Sequence, residues 1–131
     1  ALLAICLGLQ LLCEGSDESP GIAGLGVVPG RITRFGANVR VPQMGWNKIT
    51  PTTSSPLLRP DWVYFANSFR LEQVPEGWAG ATTAHGGPFA SALQRGTLLA
   101  CQFHPELSGT AGLALMKRWL ALSSAERPLP C

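Results

Sequence analysis

Two short stretches hold the residues able to do chemistry. In "ALLAICLGLQLLCEG", Cys6 closes an uncharged run and is framed by Ala4 and Gly8. With "ALLAI" as a buried strand and "LGLQLLCEG" as the helix after it, Cys6 stands at a strand-to-helix corner. That is the geometry of a nucleophile elbow, usually G-x-nucleophile-x-G, whose small flanking residues let the backbone turn tightly while the side chain stays exposed. Ala4 replaces the first glycine, so the turn is strained but feasible. A thiol there lies beside unpaired N–H groups and the positive end of the helix dipole, and both favour the thiolate. The Leu7 N–H points toward an oxyanion formed on a substrate attacked by Cys6. Gln10, four residues on, shares the helical face of Cys6. A buried structural cysteine explains the same residues equally well.

The second stretch is "CQFHPELSG". If "TLLACQF" is a strand, its period of two puts His104 and Glu106 on one side of the extended chain. Pro105 keeps His104 extended and cannot continue a central ladder, so the segment leaves the sheet at its C-terminal edge. Open α/β sheets place their sites at that edge. A carboxylate two residues from an imidazole can fix its tautomer and steady the imidazolium, completing a Cys-His-Glu set. By itself "HPE" fits a solvated loop as well.

The elements that must position these groups follow from the rest of the chain. The 131 residues suit one domain, and with 46% apolar and 14% charged residues they can bury a core. A net charge of +2, spread singly, leaves no basic run to follow a phosphate backbone, so nucleic acid is not the expected partner. Between the two stretches lie short extended runs separated by Gly and Pro: "GRITRF", "VRVPQMGWNKI", "DWVYFANSFRL", "WAGATTAHG", "PFASALQRG" and "TLLACQF". "EGSDESPG" reads as a polar turn in which Gly15 caps the first helix, and Thr50 to Pro60 as a surface loop. The closing helix is expected to bury Leu113, Met116, Trp119 and Leu120. Trp62, Trp78 and Trp119 read as core or loop anchors. Residues 1–122 then form the domain and 123–131 a frayed tail. A sheet that begins at Ala1 without methionine reads as a domain whose front part is missing.

Four cysteines are widely spaced, with no C-x-x-C, so neither zinc nor another metal is expected. Cys13 and Cys101 read as free buried thiols, and an intracellular, reducing, cytoplasmic setting follows. The opening run also admits the apolar core of a secretory or lipoprotein signal. It falls short of the roughly 20 residues that cross a bilayer. It also lacks a basic n-region, and Leu11-Leu12 stand where small residues belong before a cut.

On these residues the chain resembles the class I, triad-type glutamine amidotransferases. More narrowly it resembles the glutaminase subunits of imidazole glycerol phosphate synthase. "ICLGLQLL" matches the elbow, "SDESPG" the turn after it and "GLGVVPGRITRF" the following hairpin. "VPQMGWN", "YFANSF" and "QFHPELSGTAG" follow in the family's order. "QFHPE" and the elbow mark the class, and "MGWN" directly after "VP" marks the branch. The resemblance implies a flavodoxin-like α/β fold: a mostly parallel sheet with flanking helices and an antiparallel hairpin portion. It implies Cys6 as nucleophile, His104 as proton donor and base, and Glu106 as its orienting carboxylate. Leu7, Gln10, Asn67, Ser68 and Phe69 would bind glutamine, with no cofactor. Met44, Trp46 and Asn47 would face a (β/α)₈-barrel cyclase that consumes the ammonia in histidine biosynthesis, with no membrane involved. The front part would hold the first strands and a second oxyanion donor. Losing one such donor typically costs about 10²–10³ in rate, so this chain alone is expected to be inactive.

Four positions depart from the family pattern. Gln43 and Asn67 stand where histidines are usual, Leu107 where a basic residue faces the cyclase, and Phe69 where tyrosine is common. They leave room for two other readings: another class I amidotransferase, or a non-catalytic module kept for its partner surface.

Overall fold

The computed structural model describes residues 1–125; the last part of the expected tail lies outside the described residues. Element order is β1 (Leu2–Ile5), α1 (Leu7–Leu12), β2 (Gly15–Ser16), β3 (Arg31–Arg34), β4 (Gln43–Pro51), β5 (Asp61–Asn67), β6 (Phe69–Leu71), β7 (Ala79–Ala84), β8 (Pro88–Arg95) and β9 (Leu98–Cys101). A 3₁₀ turn, Pro105–Leu107, then leads into α2 (Gly109–Ala125), so residues 123–125 belong to that helix.

The strand that organises the sheet is β8. Its sequence "PFASALQR" is buried from Phe89 to Gln94, as a strand covered on both faces must be. It pairs antiparallel with β7, with β9 and, at Ala90, with β6. Ser91 is skipped in the register with β7, and its hydroxyl bonds the Ala81 carbonyl. The bulge lets Phe89 and Ala92 face one core while Ala90 and Leu93 face the other. The first core packs the β4–β5 hairpin and α2 around Phe65, Phe89 and Phe103. The second packs α1 around Leu9, Leu12 and Cys13.

The sheet is mixed. Only β1 with β9 and β2 with β3 run parallel; every other pairing among the described strands is antiparallel. The expected mostly parallel sheet is corrected on this point. A parallel neighbour needs a crossover of a dozen or more residues, whereas β7, β8 and β9 are joined by short turns.

Three further local expectations change. Gly15 does not cap α1, which ends at an extended Cys13; Gly15 lies in β2. The Thr50–Pro60 segment is not a surface loop throughout, because Leu57 and Leu58 are buried and Ser55 Oγ accepts both of their N–H groups. In α2 the packed stripe is Gly112, Leu115, Trp119 and Leu122, while Leu113 and Leu120 are exposed. Both stripes fit a 3.6 period. The docking of Gly112 on the 3₁₀ turn selects between them, since a Cβ on Gly112 would overlap the Pro105 carbonyl. No helix among the described residues is long and apolar enough to cross a membrane.

Candidate active site

Cys6 sits at the corner between β1 and α1 with φ 50° and ψ −103°, the only non-glycine residue among those described with a positive φ. Backbone in that region is costly for a side chain and persists only where surrounding structure imposes it. Here the imposition is visible. The Cys6 N–H continues the parallel ladder onto the Cys101 carbonyl at 2.7 Å, and the Gln10 N–H already returns to the Cys6 carbonyl at 3.3 Å. Ala4 and Gly8 close the corner, where a Cβ on Gly8 would come within 3.3 Å of the Ala4 Cβ.

β9 carries the other half. Because β1 and β9 are parallel and in register up to Ile5 with Cys101, the chain beyond each strand leaves from the same edge. Past Cys101 come Gln102, then Phe103, then His104, which is extended (φ −101°, ψ 97°) ahead of the proline-led 3₁₀ turn. His104 Nδ1 lies 2.7 Å from Glu106 Oε1, which leaves Nε2 for proton work. Three bonds hold this turn. The His104 N–H bonds the Tyr64 carbonyl at 2.9 Å. Ser108 Oγ donates to the His104 carbonyl at 2.6 Å and accepts the Tyr64 N–H at 3.0 Å.

The thiol differs from its expected state. Burial pushes Cys6 above the ordinary thiol value and outweighs the hydrogen bonds from the Leu7 N–H and the Gln102 amide; Glu106 and Glu18 add to the rise. The helix start therefore does not by itself supply a thiolate. Cys13 and Cys101 are buried free thiols, Cys13 pushed up to about 11 and Cys101 higher still, both by burial.

Around the sulfur the polar side chains interlock. Gln10 Nε2 donates to the Phe69 carbonyl at 3.3 Å and to Gln102 Oε1 at 3.0 Å, and Gln102 Nε2 lies 3.6 Å from Cys6 Sγ. Asn67 Nδ2 shares the Phe69 carbonyl at 3.0 Å. The Ser68 carbonyl accepts the Phe35 N–H at 3.1 Å. A cleft opens beside this network, lined by Leu7, Gln10, Ser16, Glu18, Ser19 and Ile22. Sequence reasoning missed three residues here. Gln102 is fully buried two positions before His104, so the period that links His104 to Glu106 also reaches it. Ser108 stood in the "CQFHPELSG" stretch without being given a role, and Glu18 sat in "EGSDESPG", read only as a turn. No group of three or more metal-ligating side chains occurs among the described residues.

Of the expected partner-facing residues, Met44 and Trp46 alternate outward on β4, 67% and 55% exposed. Trp46 packs edge-on to Tyr64 across the hairpin, and the exposed Trp62 lies on the same strand as Tyr64, opposite Lys48. Trp62 is thus no core anchor. Asn47 is separated from this face by the pleat, and its amide donates to the Ala84 carbonyl at 2.9 Å. Leu107 is exposed on the 3₁₀ turn. Gln43 and Asn67 are direct cross-strand partners and both buried. Gln43 Nε2, Gln43 Oε1 and Asn67 Oδ1 have no hydrogen-bond partner among the described residues.

Comparison with known proteins gives a consistent picture. The family model described as "Glutamine amidotransferase class-I" matches residues 1–121. Imidazole glycerol phosphate synthase subunit HisH of Deinococcus radiodurans is 49% identical over 121 residues, 88% of this chain and 56% of that protein. The subunit HisH of Thermus thermophilus is 48% identical over 114 residues, covering 87% of this chain and 57% of its own length. The chloroplastic imidazole glycerol phosphate synthase hisHF of Arabidopsis thaliana is 40% identical over 136 residues, 97% of this chain and 23% of that protein. The chain thus spans little more than half the length of the bacterial subunits. A crystal structure of a glutamine amidotransferase superposes with a TM-score of 0.68 over 95% of this chain and 61% of that one, at 23% identity.

Proposed function

The chain belongs to the class I glutamine amidotransferase family, and from that premise we propose that it is the glutaminase part of an imidazole glycerol phosphate synthase. It hydrolyses glutamine to glutamate and ammonia and passes the ammonia to a (β/α)₈-barrel cyclase in a cytoplasmic heterodimer. The observation that supports this reading is the placement of Cys6, strained at its elbow, and of the hydrogen-bonded His104 and Glu106 beyond the same ends of the parallel strands β1 and β9.

The chemistry follows from the geometry. Burial pushes the Cys6 thiol upward, so a base is needed, and His104 takes the thiol proton as the sulfur attacks the carboxamide carbon. Glu106 on Nδ1 steadies the imidazolium. The same proton goes to the departing ammonia, and water then opens the thioester with His104 as base. The Leu7 N–H stabilises the oxyanion. Both Gln10 Nε2 hydrogens are engaged, so its Oε1 offers an acceptor to the amino end of glutamine, and Glu18 in the cleft supplies the opposite charge to an ammonium. Asn67, Ser68 and Phe69 shape the neighbouring backbone. The Met44–Trp46 face adjoins the His104 turn through Tyr64, so a cyclase docked there would stand beside the released ammonia.

Glutamine hydrolysis tests this directly. Because the chain spans 56% of the Deinococcus relative, the assay uses the chain and a chimera carrying that relative's preceding residues, each with and without a cyclase. Equimolar glutamate and ammonia are expected, falling by about 10⁴-fold or more in Cys6→Ala. Release that is absent in every form, or unchanged by Cys6→Ala, would overturn the assignment.

A further inference from the structure

Gln102 is buried to 0% exposure, yet both ends of its amide are engaged. Its orientation is forced. The Phe69 carbonyl can only accept, so Gln10 must turn its NH₂ group toward it. That same nitrogen is 3.0 Å from Gln102, which must therefore present Oε1 to Gln10 and its own NH₂ to Cys6 Sγ at 3.6 Å. The reverse orientation of either amide would set donor against donor or acceptor against acceptor.

We propose that Gln102 is a positioning residue for the nucleophile: its amide, locked by Gln10, holds the Cys6 sulfur and favours its thiolate over its thiol. This rests on Cys6 being the nucleophile and adds a residue the triad does not include. A donor matters at this sulfur because everything else charged nearby works against a thiolate. Glu18 faces it from the turn after β2 and Glu106 from the 3₁₀ turn, and both raise the thiol, as burial does. His104, on the segment between β9 and that turn, is engaged with Glu106. The Leu7 N–H and the Gln102 amide are the two groups that act in the opposite direction. Anchoring matters as much, because a free glutamine side chain would lose rotamer entropy on every encounter with the sulfur. Gln10 removes that freedom in advance. Gln10 thus serves the sulfur through Gln102 with its nitrogen and the substrate with its oxygen.

The test is the pH dependence of Cys6 alkylation by iodoacetamide in the full chain, resolved by peptide mass spectrometry. Gln102→Met should move the midpoint for Cys6 upward by about one pH unit, the worth of one hydrogen bond to a charged group. Gln10→Met, which frees the Gln102 amide to rotate, should move it the same way by less. A purely structural role would change labelling of buried Cys13 and Cys101 and leave the Cys6 midpoint in place. An unmoved midpoint in Gln102→Met, with Cys13 and Cys101 still unlabelled, overturns the proposal. If Gln102→Met fails to fold, seen as labelling of those two thiols, Gln10→Met decides by the same criterion. Alkylation needs no glutamine, so a shifted midpoint with no glutamine hydrolysis in any form, the chimera with a cyclase included, would sink the functional reading and leave the contact of Gln102 with the Cys6 sulfur intact.

Discussion

Two buried polar places in this molecule are built in opposite ways. At the elbow, both ends of the Gln102 amide are bonded, and the neighbouring turn is strapped to β5 through Tyr64 and Ser108. At the open end of the β4–β5 hairpin, Gln43 and Asn67 face each other with three polar atoms unbonded. Both places lie at strand ends, and both carry amides, so residue type does not explain the contrast. The difference lies in what a shift would move. Displacing the elbow amide moves the sulfur directly, whereas the hairpin end reaches that sulfur only at second hand, through Asn67 Nδ2 and the Phe69 carbonyl it shares with Gln10. Precision is concentrated where reacting groups must meet, and the chain's own contacts leave the hairpin end loosely specified.

The comparison is broken most severely at Gly112. Its packing against Pro105 sets the seat of the 3₁₀ turn on α2, and a methyl group there overlaps the Pro105 carbonyl. Gly112→Ala is expected to cost about 3 kcal/mol, the upper range of overpacking, and to displace His104 with the turn. Chemical denaturation measures the first effect and glutamine turnover the second. Unchanged values in both would show that the turn is not seated by this contact.

Ser108 comes next. Its hydroxyl, buried to 1% exposure, serves the His104 carbonyl and the Tyr64 N–H at once. Ser108→Ala leaves the Tyr64 N–H without its acceptor, while the His104 carbonyl keeps the Leu107 N–H at 3.0 Å, and about 2 kcal/mol is expected to be lost. The effect on turnover should exceed that of a surface change of equal stability cost, because the lost bonds join the imidazole segment to the hairpin. Equal turnover in Ser108→Ala and the parent chain would count against strapping as the purpose of these bonds.

How much of this was legible in the sequence follows the same division. The corner at Cys6 and the closeness of His104 to Glu106 were readable from spacing: small residues around a corner, and a proline between two residues two apart. Their roles came only from the family resemblance. The strands were readable from Gly and Pro punctuation, but their direction was not, since the parallel pairing of β1 with β9 depends on contacts spanning almost the whole chain. The stripe on α2 failed for a related reason: two stripes fit one period, and only the approach to Pro105 distinguishes them. Asn47 was grouped with Met44 and Trp46 by the "MGWN" resemblance, and the pleat turns its side chain to the other face of β4, where its amide meets the Ala84 carbonyl. Gln102 stood inside a recognised motif and was passed over, because nothing in one sequence says that residue 10 will meet residue 102.

The smallest effect is expected at the hairpin end, and its sign is what sharpens the contrast. Gln43 is 5% exposed, and neither polar atom of its amide has a partner among the described residues. Burying an unbonded amide is unfavourable, so an apolar side chain of similar size should be tolerated or preferred. Gln43→Leu is expected to raise stability by about 1 kcal/mol and Tm by a few degrees in thermal unfolding. The equivalent change at the elbow, Gln102→Leu, strands the Gln10 amide and the Cys6 sulfur and should lower Tm. If both substitutions destabilise alike, the hairpin end is as tightly built as the elbow, and the division drawn between the two places fails.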